Sequence, residues 1–169
     1  MSIADSLLPE FDHEMANVRA YLSLIPADQL TWKPHPKSFT FQALGTHLAW
    51  IPSWVEDTLK KTELDFAPVG GEPLKSPTCD SVQAMLDLYD AGAAAGRAAL
   101  AATPDSDFFV PWTLRAGAHV IFTLPRIAVV RSFVLNHAVH HRGQLSVYLR
   151  LRDVVLPSVY GPTADQQTM

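Results

Sequence analysis

Two histidines stand four residues apart where a packed helix is expected to carry apolar side chains. His137 and His141 belong to a stripe whose members recur in steps of three and four, the spacing of the inner face of a bundle helix. Residues four apart stack on one side of a helix, so both imidazole rings can face one atom. Burying two polar rings side by side costs free energy unless something satisfies them, and a bound metal ion would do so. The full stripe is Ile127, Val130, Val134, His137, His141, Gln144, Tyr148 and Leu151.

Neutral imidazole nitrogen is a ligand for zinc, nickel, iron and manganese, and burial favours the neutral ring. Two ligands from one helix leave coordination positions open, and a third would complete the three-ligand pattern of catalytic zinc sites. His47 is the first candidate, because it lies in the middle of a predicted helix beside an apolar stripe. His140 is the main competitor, but it is turned about 100° from His141 around the helix. His35, in a proline-rich loop, and His119, in a predicted hairpin, are weaker candidates.

The spacing also allows a purely structural interpretation. Paired core histidines can hydrogen-bond to each other, to a backbone carbonyl or to water, and Gln144 would then only bond to a ring. Trp50 and Trp54 either pack the core near His47 or wall a pocket there. We expect Arg142 to face solvent. No general base is evident, because Glu56 and Asp57 lie well beyond His47 and are expected to point away from it.

Four helical stretches are expected to position these residues. Pro26 ends the first helix, and Pro52 kinks the second near the carbonyl of Leu48, one turn away. The second helix is expected to begin at an N-cap formed by Ser38 or Thr40. The predicted helices cover about residues 3–24, residue 40 onwards, residues 80–102 and residues 123–152.

The predicted connections differ in character. Residues 65–78 hold three prolines and a Gly-Gly pair, and so long a connection lets a bundle place neighbouring helices parallel. A short alternation over residues 107–122 predicts a small hairpin or an extended loop. Gly92 and Gly96 give the third helix a smooth surface, for either a bundle neighbour or a second subunit. The tail, residues 154–169, is expected to pack as irregular chain.

Composition and charge limit the classes of function. With 169 residues and a 48% hydrophobic composition, we expect a single globular domain over residues 1–169. Net charge is −4, which argues against nucleic acid as the main partner. The lone cysteine, Cys79, can form no internal disulfide and no Cys-based zinc site. No signal peptide and no membrane-spanning apolar run is evident, so a cytoplasmic protein is expected.

Three segments resemble the DinB/YfiT family of four-helix-bundle proteins. Residues 136–150 (NHAVHHRGQLSVYLR) are similar to the histidine-rich signature of that family. Residues 38–49 (SFTFQALGTHLA), with their single histidine, and residues 157–165 (PSVYGPTAD) support the resemblance. The order and lengths of the predicted helices agree along nearly the whole chain.

The resemblance implies an all-α fold, a four-helix bundle in up-down-down-up order with a long crossover between the second and third helices. It also implies a divalent metal ion, such as nickel or zinc, held by three histidines that correspond to His47, His137 and His141. All three positions carry histidine in this chain. Family members are often homodimers. They include transferases and isomerases that use low-molecular-weight thiols.

Two functions from different classes follow from these observations. The first is a metal-dependent enzyme that acts on a small molecule, either by thiol S-transfer to an electrophile or by hydrolysis. An open coordination position could serve both reactions by lowering the pKa of a thiol or a water. The second is a non-catalytic metal-binding bundle with a role in stress response. Access of solvent to the metal site separates the two hypotheses.

Overall fold

The main helices begin at side chains that cap their free backbone N–H groups. In the computed structural model, which describes residues 1–167, Ser2 accepts a hydrogen bond from the Asp5 N–H, and Thr40 accepts one from Ala43. Thr40 is therefore the N-cap of the second helix. The helices are α1 (Ile3–Leu22), α2 (Phe41–Trp50), α3 (Trp54–Lys60), α4 (Val82–Ala102), α5 (Arg126–Ala128) and α6 (Asn136–Arg150). Short 3₁₀ turns cover Ala27–Gln29, Ile51–Ser53 and Asp105–Phe109, and a π-helical segment, Val129–Leu135, joins α5 to α6.

A three-stranded sheet packs beside the helices, so the prediction of an all-α four-helix bundle was wrong. Strand β1 (Glu63–Asp65) pairs parallel to β2 (Pro111–Ala116), and β2 pairs antiparallel to β3 (His119–Pro125) through a two-residue turn. Helices make up 56% of the chain, and the fold is mixed. The predicted hairpin exists, but the long connection after α3 also contributes a strand. Because β1 has three residues and its partner strand lies far along the chain, no local alternation could reveal it.

The last helix starts later and is less regular than predicted. Strand β3 continues to Pro125, and the helical chain then passes through the π-helical segment before α6. A π-helical turn holds more residues than an α-helical turn, so this segment changes which side of the following helix faces inward. The predicted stripe is accordingly displaced, and Gln144 and Leu151 are exposed. The buried residues of α6 are Ala138, His141, Arg142, Leu145 and Leu149.

Pro52 interrupts the second predicted helix, and α4 packs closely against the interruption. The 3₁₀ turn Ile51–Ser53 separates α2 from α3, as expected from a proline inside a helical pattern. A Cβ atom added at Gly96 would lie 2.8 Å from the Pro52 carbonyl oxygen, and one added at Gly92 would lie 3.1 Å from the Ser53 nitrogen. The smooth surface of α4 thus serves a neighbour in the same chain.

The C-terminal tail is irregular, as predicted, and is anchored by a buried ion pair. Arg142 and Glu14 form a salt bridge of 2.6 Å, and both side chains are over nine-tenths buried. The Tyr160 hydroxyl accepts a hydrogen bond from Arg142 and donates one to Glu14. The expectation that Arg142 faces solvent was therefore wrong, because α1 supplies a carboxylate to meet it. The last two residues of the predicted tail, 168 and 169, lie outside the described residues.

The hydrophobic core lies between the helices, with a smaller cluster under the sheet. The main core joins buried residues of α1, α2, α4 and α6, including Phe11, Leu44, Met85 and Leu145. Trp112, Leu114 and Val129 form the second cluster on the helix-facing side of β2. Within residues 1–167, no helix combines the length and the apolar composition needed to cross a bilayer.

Gly96→Ala is expected to lower the free energy of unfolding by about 1–3 kcal/mol, because the added methyl group meets backbone that cannot move aside. Equilibrium urea denaturation of the purified chain measures this change. The matched control is Gly143→Ala in α6, where an added Cβ meets no atom of residues 1–167 within 4 Å. That variant is expected to gain about 0.5–1 kcal/mol from better helix propensity. Equal effects at the two glycines would contradict the packing of α4 against Pro52.

Candidate metal centre

Three imidazole rings from two helices meet at one point. His47 lies on α2, and His137 and His141 lie one turn apart on α6. The Nε2 atoms of His47 and His137 are 3.3 Å apart, and those of His137 and His141 are 2.8 Å apart. One nitrogen of each ring lies within 4.8 Å of the others. The structure thus brings together the three histidines named from the sequence.

The packing of α2 on α6 positions these rings. Phe41, Leu44 and Leu48 are fully buried and fix the inward face of α2, which leaves His47 half-buried at the edge of that face. On α6, His141 is buried and His137 is half-buried. The ring centroids of His47 and His141 are 4.7 Å apart. The cluster therefore lies at the rim of the core, where one side of it can remain open.

Two aromatic rings wall the cluster on one side. Trp54 lies 5.6 Å from His47 and 5.5 Å from His137, measured between ring centroids. Phe133 lies 5.7 Å from His137 and stacks on Trp54 at 5.5 Å. The expectation that Trp54 packs near His47 is confirmed. Sequence reasoning missed Phe133, although its position four residues before His137 places it on the same side of the helix.

The hydrogen bonds around the rings leave nitrogen lone pairs at the centre. The Gln144 amide oxygen lies 2.7 Å from Nδ1 of His141. Because an amide oxygen only accepts, Nδ1 of His141 donates and Nε2 presents a lone pair. Nε2 of His137 contacts both other Nε2 atoms, but one proton there can point to only one neighbour. Hydrogen bonds among three neutral rings therefore cannot satisfy both contacts fully, whereas one cation would suit all three lone pairs.

The separations between the nitrogens also fit a single ion. With metal–nitrogen bonds of 2.0–2.1 Å and tetrahedral angles, two imidazole ligands stand about 3.3 Å apart. The observed separations of 3.3 and 2.8 Å lie at and just below that spacing. Three neutral imidazoles form a donor set suited to zinc, nickel, iron or manganese. The geometry and the chemistry of these donors thus agree with the expected metal site.

Burial keeps the three rings neutral. It lowers the pKa of His47 to about 4, and repulsion from His141 and His137 adds to the effect. Burial likewise lowers the pKa of His137, helped by repulsion from His141 and opposed by the Phe133 backbone. By distance and angle, Nδ1 of His137 has no hydrogen-bond partner among residues 1–167. The pKa of His141 is also lowered by burial, and its bond to Gln144 opposes the shift. Neutral rings are the form that binds metal.

The other candidate residues lie away from this centre. His140 is exposed and contacts His141 only through its ring, at 4.9 Å between centroids. His35 and His119 are exposed in the proline-rich loop and on β3. Glu56 and Asp57 pair with Lys60 and Lys61, one turn along α3. No carboxylate therefore joins the cluster within the part of the chain that the structure describes.

A cleft lined by both polar and apolar residues opens on His47. Its volume is about 270 Å³, and His47 shares its lining with Gln42, Thr46, Trp50 and residues 76–78 of the long connection. Hydrogen bonds hold this connection against α2. The Gln42 amide donates to the Cys79 carbonyl at 2.9 Å, and the Cys79 N–H donates to the Thr46 hydroxyl at 3.3 Å. Of the two roles considered for Trp50, packing and lining a pocket, the structure shows the second here.

The chain matches the DinB superfamily over residues 10–145. It belongs to the DinB superfamily. Two solved structures share this DinB fold. A DinB-like protein from Bacillus cereus is 23% identical, with a TM-score of 0.67, and the match covers 92% of this chain and 97% of that one. A DinB-like protein from Bacillus subtilis is 18% identical, with a TM-score of 0.68, and the match covers 97% and 99% of the two chains. No curated protein matches the sequence.

The metal-free DinB-like protein is expected to lose stability as the pH falls from about 6.5 towards about 4. In this range the unfolded chain binds protons that the folded rings do not bind, so the free energy of unfolding falls as the pH falls. Urea denaturation in the presence of a chelator, repeated across this range, measures the decrease. His47→Gln should show a smaller decrease than the parent, while His119→Gln, at an exposed position on β3, should match the parent. Identical pH dependence in all three proteins would contradict a buried neutral His47.

Proposed function

We propose that this DinB-like protein is a metal-dependent enzyme that acts on a small molecule. His47, His137 and His141 would hold one divalent ion, whose identity as zinc, nickel, iron or manganese depends on supply as well as on the ligands. The single observation that carries this proposal is the position of the triad. Its three Nε2 atoms converge beside His47, and His47 also lines an open cleft that a small molecule can enter.

Among the reactions open to such a site, thiol S-transfer is better supported than hydrolysis. A divalent ion held by three imidazoles supplies Lewis acidity and lowers the pKa of a thiol or water that reaches it. Among residues 1–167, the lining of the cleft includes no aspartate or glutamate that could take a proton from water. A thiol, with an ordinary pKa near about 8.5, needs far less assistance to ionise than water does. The expected co-substrate is therefore a low-molecular-weight thiol.

In this proposal the chain's own residues have separate tasks. Gln144 holds the proton on Nδ1 of His141, so that Nε2 stays free to bind. Trp54 and Phe133 fix the ring of His137 by contact and keep water from that side. Gln42 and Thr46 hold the edge of the cleft in place through the backbone of Cys79.

A second candidate function is a non-catalytic metal-binding protein with a role in stress response. The lack of a carboxylate in the cleft lining favours it, because the ion would then have no partner base. The homodimer implied by the family resemblance stays a prediction, which light scattering of the purified chain would check. The glycine surface of α4 is already covered by the Ile51–Ser53 turn and does not supply its interface.

Metal analysis tests the ligand set. The purified parent is expected to carry about one divalent ion per chain, and His137→Ala is expected to lose most of it, since two imidazoles cannot replace three. His140→Ala is the matched control, because it removes an exposed neighbouring histidine and should leave the metal content unchanged. Equal metal content in the parent and in His137→Ala would overturn the ligand assignment.

A conjugation assay tests the enzymatic proposal. The metal-loaded parent is expected to accelerate the reaction of a cellular thiol with a soluble electrophile such as 1-chloro-2,4-dinitrobenzene, and His47→Ala should lose that acceleration. His140→Ala serves again as the control. A metal-loaded parent that turns over none of the common low-molecular-weight thiols would favour the non-catalytic alternative.

A further inference from the structure

The His137 ring uses only one of its two nitrogens. Its Nε2 atom meets Nε2 of His47 at 3.3 Å and Nε2 of His141 at 2.8 Å. Its Nδ1 atom exposes less than 1 Å² and has no hydrogen-bond partner within residues 1–167. Native structures keep few buried polar atoms without a partner, and each of them has a physical reason. The position of the ring proton supplies the reason for this one.

The contacts among the rings place the proton of neutral His137 on Nε2 when no ion is bound. Gln144 accepts a hydrogen bond from Nδ1 of His141, so Nε2 of His141 can only accept. The 2.8 Å between the Nε2 atoms of His137 and His141 is a hydrogen-bond distance, and Nε2 of His137 is therefore the donor. A neutral ring has one proton, so Nδ1 of His137 then carries only a lone pair.

A bound ion requires the other tautomer of His137. The ion takes the lone pair of Nε2, so the single proton of the neutral ring must then be on Nδ1. Metal-binding histidines donate this second N–H to a carboxylate, a backbone carbonyl or water. Gln144 is the acceptor for His141. His137 needs an acceptor of its own, and its Nδ1 is closed to solvent.

The Phe133 carbonyl lies where this acceptor is needed. Side chains of a helix lean towards its N-terminus, so the ring of His137 lies over the turn that contains the residue four positions earlier. The 5.7 Å between the ring centroids of Phe133 and His137 agrees with this placement. The Phe133 backbone also raises the pKa of His137, as a nearby oxygen does when it stabilises a ring N–H. Because Nε2 faces the other two rings, the nitrogen concerned is Nδ1.

The π-helical segment leaves one carbonyl in this turn without a helical partner. The Asn136 N–H bonds to the Arg131 carbonyl, five residues back, whereas the α6 pattern that follows joins residues four apart. Where a helix passes from the first pattern to the second, one carbonyl is skipped and receives no backbone N–H. The skipped carbonyl belongs to one of residues 132–134, with Phe133 in the middle. An additional acceptor is thus present just before His137.

We propose that Phe133 is a positioning residue of the metal centre through its backbone carbonyl. The neutral His137 ring carries its proton on Nε2 when the site is empty and on Nδ1 when an ion is bound, and the Phe133 carbonyl accepts the hydrogen bond from Nδ1 in the second state. The proton count of the ring does not change, because Nε2 releases one proton to solvent and Nδ1 takes one up. This inference rests on the proposed function, since it requires His137 to be a ligand.

NMR of the full-length parent, labelled with ¹⁵N-histidine at neutral pH, tests the change of tautomer without any substitution in the measured protein. Spectra that correlate ring nitrogens with carbon-bound ring protons distinguish a protonated from an unprotonated nitrogen, and His137→Gln assigns the His137 signals. His137 is expected to show a protonated Nε2 in chelator and a protonated Nδ1 with one equivalent of zinc. His141 should show a protonated Nδ1 in both states because of Gln144. The same tautomer of His137 in both states would overturn the inference.

Replacement of the Nδ1 proton tests the role of the carbonyl. His137→Nδ-methylhistidine keeps the Nε2 lone pair but cannot donate from Nδ1, so zinc affinity, measured against a competing chelator, should fall about 10- to 100-fold. The ¹³C signal of the Phe133 carbonyl should move on zinc binding in the parent and not in this variant. His119→Nδ-methylhistidine, at an exposed position on β3, is the control and should match the parent. Equal zinc affinity in both methylated proteins would overturn the inference.

A further variant separates the carbonyl of Phe133 from its ring. Phe133→Leu removes the aromatic ring and keeps the backbone oxygen, so zinc-loaded Phe133→Leu should still carry the His137 proton on Nδ1. Loss of that proton in Phe133→Leu would assign the effect to the ring and overturn the role of the carbonyl.

Failure of this inference and failure of the proposed function give different results. A parent that binds one zinc ion through the triad while the proton of His137 stays on Nε2 would overturn the inference and leave the bound ion in place. A parent that binds no zinc would overturn both, and metal analysis shows this without any measurement of the tautomer.

Discussion

The crowding of three imidazole rings at the rim of the core is the constraint on which the rest of the structure depends. Three Nε2 atoms face one another at separations of 3.3 and 2.8 Å, and burial holds the rings neutral. Neutral rings in this arrangement cannot satisfy one another completely through hydrogen bonds. The protein therefore keeps a partly buried cluster of lone pairs that is costly when empty and suited to a divalent cation. Tight packing of α2 against α6, the two helices that carry the rings, offsets this free-energy cost.

Several long-range contacts hold those two helices in place. Next to His141, Arg142 forms a buried pair with Glu14 of α1, and Tyr160 of the tail bonds to both side chains. A buried pair of this kind adds less to stability than to a fixed arrangement of its elements, since desolvation offsets much of its attraction. On the other side, Gly96 lets α4 approach the turn at the end of α2. These contacts fix the rotation and the spacing of α2 and α6, and so place the histidines.

Much of the helical part of the fold could be predicted from the sequence, and the sheet could not. Three helix starts lie at or near their predicted positions, because caps and helical periodicity act within a few residues. Strand β1 has three residues and depends on pairing with β2, so it carries no local signal. The sequence pattern gave no sign of the π-helical segment Val129–Leu135 either, and this segment displaced the predicted inner stripe of α6. Helical periodicity predicts the inward face only where the number of residues per turn stays constant. In this chain that number changes in the π-helical segment just before His137 and His141.

By itself, the sequence determined that His137 and His141 share one side of one helix, since a spacing of four residues is a local property of the α-helix. It made His47 the first candidate for the third ring without deciding between that residue and His140. Only the tertiary structure brought the His47 ring to the other two, because their approach depends on how α2 packs against α6. Tertiary contacts also buried Arg142 against Glu14 and left the Trp112 N–H without a partner within residues 1–167. Such outcomes depend on side chains far apart in the chain, whose encounters no local spacing records.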